Sequence, residues 1–253
     1  MSALQGLIGL APLSLVGAAA MTFGAAFVRG LTGFGMAIIL VPMLGLIMTP
    51  GEAVVLGIIL QLLIGPVGLG RIMEGADRRS AVPIALLAML ATPIGMAILK
   101  SVTPDVARLM IAVVAIGAFL ILFLPQHPDG HRPGPLAIGA TGIASGILTG
   151  FAAMPGPPVV PFYMRQRTRP VTARASMMLI FFATAIAGTL ASLWLGLATR
   201  RLFLLAAVLF VPMTLGDHFG ARAFGRIPDP VWRGTVAVVL GVAGASALFR
   251  LLG

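Results

Sequence analysis

Two glycine-rich interruptions of apolar sequence, one in each half of the chain, constrain the fold more than any other feature. The first runs Val28-Arg29-Gly30-Leu31-Thr32-Gly33-Phe34-Gly35-Met36, and the second runs Gly146-Ile147-Leu148-Thr149-Gly150-Phe151 and on to Met154-Pro155-Gly156-Pro157-Pro158. Each glycine inside a helix costs about 1 kcal/mol relative to alanine. Both stretches therefore predict the end of one helix and the start of another, and the shared Thr-Gly-Phe tripeptide indicates two related halves.

The apolar sequence around these interruptions is too extensive for a water-soluble protein. Of 253 residues, 59% are hydrophobic and only 9% are charged, whereas a soluble domain averages about 25% charged residues. We therefore predict an all-α polytopic membrane protein surrounded by the lipid bilayer. The net charge of +10 comes from basic residues in short connections, where the topology rule places them, so we expect no nucleic-acid partner.

The chain contains about ten apolar segments. Their approximate bounds are 8–28, 34–49, 52–70, 81–99, 106–125, 134–150, 156–164, 175–198, 202–220 and 232–252. Most approach the ~20 residues that a membrane-spanning helix needs. Segments 34–49 and 156–164 are shorter, and they either cross as short helices or re-enter on the same side. The prediction is eight to ten transmembrane helices, two of which are candidates for re-entrant segments.

The chain divides into two halves of similar organisation. We predict a first transmembrane repeat over residues 1–125, a polar linker over 126–133 and a second repeat over 134–253. Three correspondences keep the same order in both halves: Pro42 with Pro161, Thr49-Pro50 with Arg169-Pro170, and Arg78-Arg79 with Arg200-Arg201. A shared order of weak matches favours an internal duplication.

The distribution of basic residues predicts how the two halves are oriented in the membrane. If all ten segments cross, each half has five crossings, and the halves form an inverted repeat with 12 basic residues inside and 5 outside. The outside residues are Lys100, Arg108, Arg200, Arg201 and Arg250. The eight-crossing alternative leaves 7 of 17 inside. Because cytoplasmic loops carry the excess of lysine and arginine, the sequence favours the inverted repeat.

Three motifs make the chain similar to the TauE/SafE family of membrane transporters. They are Gly30-Leu31-Thr32-Gly33-Phe34-Gly35 leading to Val41-Pro42, Gly150-Phe151 continuing through Gly156-Pro157-Pro158 to Tyr163, and Arg174-Ala175-Ser176. The resemblance covers essentially the whole chain. It implies transport of a small anion, such as sulfite, an organosulfonate or a related carboxylate, across the bacterial cytoplasmic membrane. One departure stands at Ala152-Ala153-Met154, where the family usually carries glycine.

The two interruptions are the predicted substrate site. Broken helices in corresponding halves indicate a transporter binding site, and a helix N-terminus presents free N–H groups and a partial positive charge to an anion. We expect helices to begin at both interruptions and to aim their N-termini at one point. The backbone and hydroxyl candidates are Thr32, Gly33, Phe34, Gly35, Thr149, Gly150, Phe151, Gly156 and Pro157. The alternative role for these glycines is close packing between helices.

Three further side chains are candidate ligands. Arg29 and Arg174 stand beside the interruptions, and a guanidinium can grip an oxyanion through two parallel hydrogen bonds. The alternative for each arginine is a cytoplasmic anchor. Gln61 is a polar residue within segment 52–70, where polar side chains face the bundle interior. Its alternative role is a hydrogen bond between helices.

Two acidic residues have competing interpretations. Glu52 follows Thr49-Pro50 at the spacing of a capping box, which we prefer to a role in proton coupling. Asp217 lies near the end of segment 202–220. We expect Asp217 to interact with Arg222, the alternative being a proton relay with His218.

The function classes follow from what the chain contains. A secondary transporter of a small anion is the leading hypothesis, with a small-anion channel as the alternative and a membrane-embedded enzyme as a weaker one. The glycine runs lack the Gly-Lys-Ser/Thr ending of a phosphate-binding loop. With no cysteine and three scattered histidines, we expect no cofactor and no metal. The sequence leaves open the anion, the direction, the coupling ion and a homo-oligomeric state.

Overall fold

The computed structural model describes residues 9–67, 70, 74–123, 133–166 and 168–223. These residues form nine α-helices and no strand. The helices are α1 (Pro12–Thr32), α2 (Met36–Leu44), α3 (Pro50–Ile64), α4 (Arg78–Ser101), α5 (Pro104–Phe123), α6 (Pro135–Ala152), α7 (Gly156–Met164), α8 (Pro170–Trp194) and α9 (Arg200–Ala223). Five of them, α1, α4, α6, α8 and α9, are long and apolar enough to cross a membrane.

Helix α3 lies at the centre of the molecule. Residues 53–60 are fully or almost fully buried, as expected of a helix that is apolar on every face. The predicted capping box is present, because the Thr49 hydroxyl accepts from the Glu52 N–H and the Glu52 carboxylate accepts from the Thr49 N–H. Glu52 also pairs with Arg201 of α9 at 3.0 Å. The start of α3 is thereby fixed to the start of α9.

The first interruption begins later than predicted. Helix α1 continues to Thr32, so Gly30 lies inside the helix, and the break occupies Gly33 and Gly35 at φ 84° and 89°. The Asp217 carbonyl of α9 packs where a side chain of residue 30 would stand, so this position within the helix requires glycine. At the second interruption, helix α6 likewise continues to Ala152, and Ala153 adopts φ 58°. The two breaks lie at the residues with left-handed backbone, and not at every glycine of the two motifs.

Both helices that follow the breaks are short. Helices α2 and α7 contain nine residues each, which at 1.5 Å per residue gives about 14 Å. The hydrocarbon core of a bilayer is about 30 Å thick. Neither α2 nor α7 can cross a bilayer by itself, so the chain around each of them is not an ordinary membrane-spanning helix.

Two helix pairs make the most extensive contacts: α1 with α9, and α4 with α6. Glycines line both interfaces, as small residues do wherever membrane helices approach closely. On α9, Gly216 lies against the Phe23 carbonyl and Gly220 against the Phe27 carbonyl. Because the contacting residues advance in the same order, α1 and α9 run in the same direction.

The α4–α6 interface repeats this arrangement. Gly146 of α6 lies against the Ala88 carbonyl of α4, and Gly150 lies against the Thr92 carbonyl. Helices α4 and α6 therefore also run in the same direction. By contrast, Gly65 of α3 contacts Phe182 of α8 whereas Gly188 of α8 contacts Ile58 of α3, so α3 and α8 run in opposite directions.

Contacts between helix ends define two ends of the molecule. At the Asp217 end, Arg29 pairs with Asp217, Arg174 bonds the Gly30 carbonyl, and the Asp77 N–H bonds Ser176. At the Glu52 end, Arg201 pairs with Glu52, and Lys100 donates to the Leu195 carbonyl. Helices α1, α3 and α9 run from the Glu52 end to the Asp217 end, and α4, α6 and α8 run the other way.

Part of the predicted topology falls outside the described residues. The predicted tenth segment, 232–252, and residues 126–132 of the linker are among these. The count of ten crossings, the two repeats and their inverted relation therefore stay predictions.

Candidate functional site

Both breaks contribute to the wall of one cavity. The cavity has a volume of about 40 Å³. One water needs about 10–15 Å³, so the cavity has room for roughly three waters. The lining residues are Arg29, Phe34, Gly35, Met36, Ala37, Ile38, Gln61, Ile64, Gly65, Met154, Pro155, Gly156, Met178, Phe181 and Phe182. The cavity thus lies between the starts of α2 and α7, the end of α3 and the middle of α8.

The start of α2 presents backbone donors to this cavity. The first N–H groups of any helix lack partners within the helix, and no side chain caps α2. Met36, Ala37 and Ile38, the first three helical residues, all line the cavity. Their amides, together with the positive end of the helix dipole, suit an anion.

The start of α7 contributes less than the sequence suggested. Its first three positions are Gly156, Pro157 and Pro158, and proline has no N–H. Gly156 is therefore the one backbone donor of that first turn, and it lines the cavity. The two helix starts are not equivalent, because α2 supplies most of the amides.

Side-chain donors occupy two backbone carbonyls at the second break. Gln61 Nε2 donates to the Ala153 oxygen at 3.0 Å, and Ser145 Oγ donates to the Pro155 oxygen at 3.0 Å. At the first break, Thr32 Oγ1 lies 2.7 Å from the Phe34 oxygen and 2.9 Å from the Val28 oxygen, and its single proton serves one of the two. A carbonyl oxygen carries partial negative charge and would repel an anion. Because the Ala153 and Pro155 carbonyls are occupied while the amides of α2 are uncapped, the wall favours negative charge.

A charged cluster adjoins the cavity at the Asp217 end. Arg29 Nη1 lies 2.6 Å from Asp217 Oδ1, and both side chains are mostly buried. Arg174 Nη2 donates to the Gly30 carbonyl at 3.0 Å, and its charge interacts with those of Asp217 and Arg29. The cluster thus brings two guanidinium groups and one carboxylate together beside the cavity.

The structure brings together some of the predicted ligands and separates others. Arg29, Phe34, Gly35, Gln61 and Gly156 line the cavity. The other candidates do not line it: Thr32, Gly33, Thr149, Gly150, Phe151, Pro157 and Arg174.

The residues outside the wall have structural contacts instead. Thr149 is buried and its hydroxyl donates to the Ser145 carbonyl at 2.7 Å. Gly150 packs against α4, and Phe151 belongs to the hydrophobic core. Gly33 packs against the aliphatic part of Arg174. Arg174 therefore contacts the first break without lining the cavity.

The expected partner of Asp217 is corrected. Asp217 pairs with Arg29 of α1 rather than with Arg222. The two residues of the pair are 188 positions apart, and both sit on long apolar helices, where an ionisable group needs a partner. The need of a buried charge for a partner could therefore have predicted the Arg29–Asp217 pair from the sequence.

Sequence reasoning also missed several cavity residues. Met178, Phe181 and Phe182 belong to α8, whose almost uniformly apolar sequence gives no sign of which side faces a cavity. Ser145 does not line the cavity, and its bond to the Pro155 carbonyl was missed because it depends on the direction of that carbonyl. Within the described ranges, no group of three or more His, Cys, Asp or Glu residues could hold a metal.

Comparisons with known proteins agree with the membrane architecture. The model of a family described as sulfite exporter TauE/SafE matches residues 18–247. A curated relative from Cupriavidus necator, the probable sulfite/organosulfonate exporter TauE, is 24% identical over 216 residues, which cover 83% of this chain and 84% of that protein. No solved structure matches the chain.

Proposed function

The chain belongs to the TauE/SafE family, and from this premise we propose that it is a secondary transporter of a small oxyanion, such as sulfite or an organosulfonate. Family membership and the five apolar helices make it a multi-pass inner-membrane protein and a transporter rather than an enzyme. The proposed substrate site is the cavity between the starts of α2 and α7. Arg29, Phe34, Gly35, Gln61 and Gly156 are the predicted ligands on its wall.

The observation that carries this proposal is the polarity of the cavity wall. Three amides at the start of α2 are uncapped, and side-chain donors occupy the carbonyls of Ala153 and Pro155. The rest of the wall is mainly Met, Ile and Phe. Electrostatic attraction is stronger in such a low-dielectric setting than in water, so an oxyanion would gain from the exposed amides.

Charge and size support the same substrate class. Arg29 brings a guanidinium to one side of the cavity, the side on which Asp217 and Arg174 lie. Space for roughly three waters suits the oxygens of one compact oxyanion. An arginine that exchanges its carboxylate partner for a substrate oxygen would also give the site a way to respond to binding.

The helix directions support an inverted repeat, which we propose as the basis of alternating access. By sequence order α1, α3 and α4 correspond to α6, α8 and α9. Each of these pairs runs in opposite directions, given the end contacts described above. Inverted repeats commonly place the substrate at their interface, where the cavity lies.

Transport in proteoliposomes tests the proposal. We expect the purified full chain to take up radiolabelled sulfite saturably, with inhibition by small sulfonates and accelerated uptake into vesicles preloaded with sulfite. Preloading separates a transporter from a channel, because only a carrier exchanges substrate across the membrane. Linear uptake without acceleration would favour the channel, and absence of uptake with every sulfur oxyanion tried would contradict the substrate class.

A charge-neutral variant tests the site itself. The double variant Arg29→Gln/Asp217→Asn replaces both charges with neutral amides and removes the guanidinium from the wall, and we expect sulfite affinity to fall about tenfold. The matched control is Glu52→Gln/Arg201→Gln, which removes an ion pair at the Glu52 end. Equal effects of the two double variants on affinity would show that the cavity is not the substrate site.

A further inference from the structure

Gln61 presents a hydrogen-bond acceptor to a cavity that otherwise favours negative charge. Its Nε2 donates to the Ala153 oxygen at 3.0 Å and to the Gly57 oxygen at 3.3 Å. Carbonyl oxygens can only accept, so the atom facing them is the NH₂ group. The amide of Gln61 is therefore fixed, with its Oε1 directed away from both carbonyls.

The second polar atom of the Gln61 amide is its oxygen, Oε1. It accepts no hydrogen bond from the described residues. It is also absent from the fully buried, unpartnered polar atoms of this part of the chain, which are Arg108 Nε and Thr189 Oγ1. Gln61 Oε1 thus reaches open space, and Gln61 is one of the residues that line the cavity.

The corresponding position in the second half does not repeat this acceptor. Gln61 lies 11 residues after Pro50, and Phe181 lies 11 residues after Pro170. Both side chains line the cavity. One side of the cavity therefore offers an amide oxygen and the other an aromatic ring, so the wall distinguishes the two ends of an asymmetric ligand.

Resting on the proposed function, we infer that Gln61 Oε1 accepts a hydrogen bond from the bound anion. The anionic oxygens would face the amides of Met36, Ala37 and Ile38, and a donor of the substrate would face Gln61. The preferred substrate class is a compact oxyanion that keeps an O–H or N–H group, rather than a fully deprotonated or purely apolar one. A bare oxyanion oxygen placed against Oε1 would instead meet repulsion.

Two sulfonates of equal heavy-atom number and equal charge test the inference. We expect 2-hydroxyethanesulfonate to compete with sulfite uptake about three- to tenfold better than propane-1-sulfonate, the usual worth of one hydrogen bond. In Gln61→Met, which keeps the size of the side chain but removes the acceptor, this ratio should approach one. An equal potency of both sulfonates on the unmodified chain would overturn the inference.

The control separates the acceptor from mere loss of a support. Ser145→Ala also frees a carbonyl at the second break, that of Pro155, but leaves Gln61 in place. We expect Ser145→Ala to change the affinity for both sulfonates by the same factor and to preserve their ratio. A ratio unchanged in Gln61→Met, or lost equally in Ser145→Ala, contradicts the role of Gln61. Failure of both sulfonates to compete would instead contradict the proposed substrate site.

Discussion

At the scale of single residues, the first break depends on a glycine that has both an unusual backbone and no room for a side chain. Gly33 has φ 84°, and an added Cβ would come within 2.7 Å of Arg174 Cγ. Left-handed backbone costs a non-glycine residue roughly 1–2 kcal/mol. The glycine therefore lets Arg174 lie across the end of α1 and bond the Gly30 carbonyl.

Gly33→Ala should lower the thermal stability of the purified protein. We expect a loss of about 2 kcal/mol from the left-handed backbone together with displacement of Arg174. The matched control is Gly24→Ala in the same helix, where nothing lies within 4 Å, and there we expect a gain of up to about 1 kcal/mol. Thermal unfolding in detergent measures both, and equal stability of the two variants would contradict the account.

The Arg29–Asp217 pair gives a second residue-scale prediction. Asp217→Asn removes the counter-charge of Arg29, so we expect the protein without substrate to lose about 1.5–3 kcal/mol. The stabilisation produced by added sulfite should increase, because the anion then replaces the lost carboxylate. Asp105→Asn is the control, since its pair with Arg108 has an acid that is 71% exposed and should contribute less than about 1 kcal/mol. A smaller sulfite effect in Asp217→Asn than in the control would contradict the prediction.

At the scale of elements, a polar network holds the end of α7. The hydroxyl of Tyr163, a buried residue of α7, lies 2.9 Å from Ser80 Oγ. Ser80 donates to Asp77 Oδ2 at 2.8 Å, and the Asp77 N–H donates to Ser176 Oγ at 2.8 Å. The network joins the end of α7 to the starts of α4 and α8, so α7 is fixed at its far end while its first turn faces the cavity.

Tyr163→Phe should weaken this attachment. It removes one buried hydrogen bond and leaves Ser80 Oγ with an unfilled acceptor site, which costs about 1 kcal/mol. Ser101→Ala removes an exposed hydroxyl bond to the Ile98 carbonyl and should cost less. We expect proteolysis or hydrogen exchange to increase at residues 156–164 in Tyr163→Phe alone. Unchanged protection there would show that the network does not hold α7.

The elements were largely predictable, and the cavity was predictable only in part. Apolar runs, prolines and the Thr49–Glu52 capping box placed most of the described helices within a few residues, but predicted segments 34–49 and 52–70 end as helices at Leu44 and Ile64, five and six residues early. The two glycine-rich interruptions also identified Gly35 and Gly156, which line the cavity. The sequence could not show that Gly30 and Gly150 serve close packing, because a glycine at an interface and a glycine at a ligand look alike. Nor could it show which face of α8 meets the cavity.

At the scale of the whole molecule, positions that the predicted repeat pairs with one another differ in polarity. Tyr163, Ser80 and Ser176 stand two, two and six residues after Pro161, Arg78 and Pro170. Their counterparts, counted from Pro42, Arg200 and Pro50, are Leu44, Leu202 and Leu56, and all three leucines are buried. Hydroxyl hydrogen bonds therefore stand at three positions in one set, where buried leucines stand in the other.

The inverted repeat can be tested by labelling from each side of the membrane. The chain has no cysteine, so single cysteines can be introduced without further changes. We expect Arg79→Cys and Arg222→Cys to react with a membrane-impermeant maleimide from the cytoplasmic side, since the Asp217 end carries more basic residues. Lys100→Cys and Thr199→Cys should react from the opposite side. Labelling of Arg79→Cys and Thr199→Cys from the same side would contradict the topology.

A structure with a bound heavy oxyanion tests the central claim most directly. Selenite resembles sulfite and gives an anomalous signal in X-ray diffraction. We predict one anomalous peak in the cavity, within hydrogen-bonding distance of the amides at Met36 and Ala37 and beside Gly156. A selenite peak elsewhere in the molecule, with this cavity empty, would contradict the claim that the starts of α2 and α7 form the anion site.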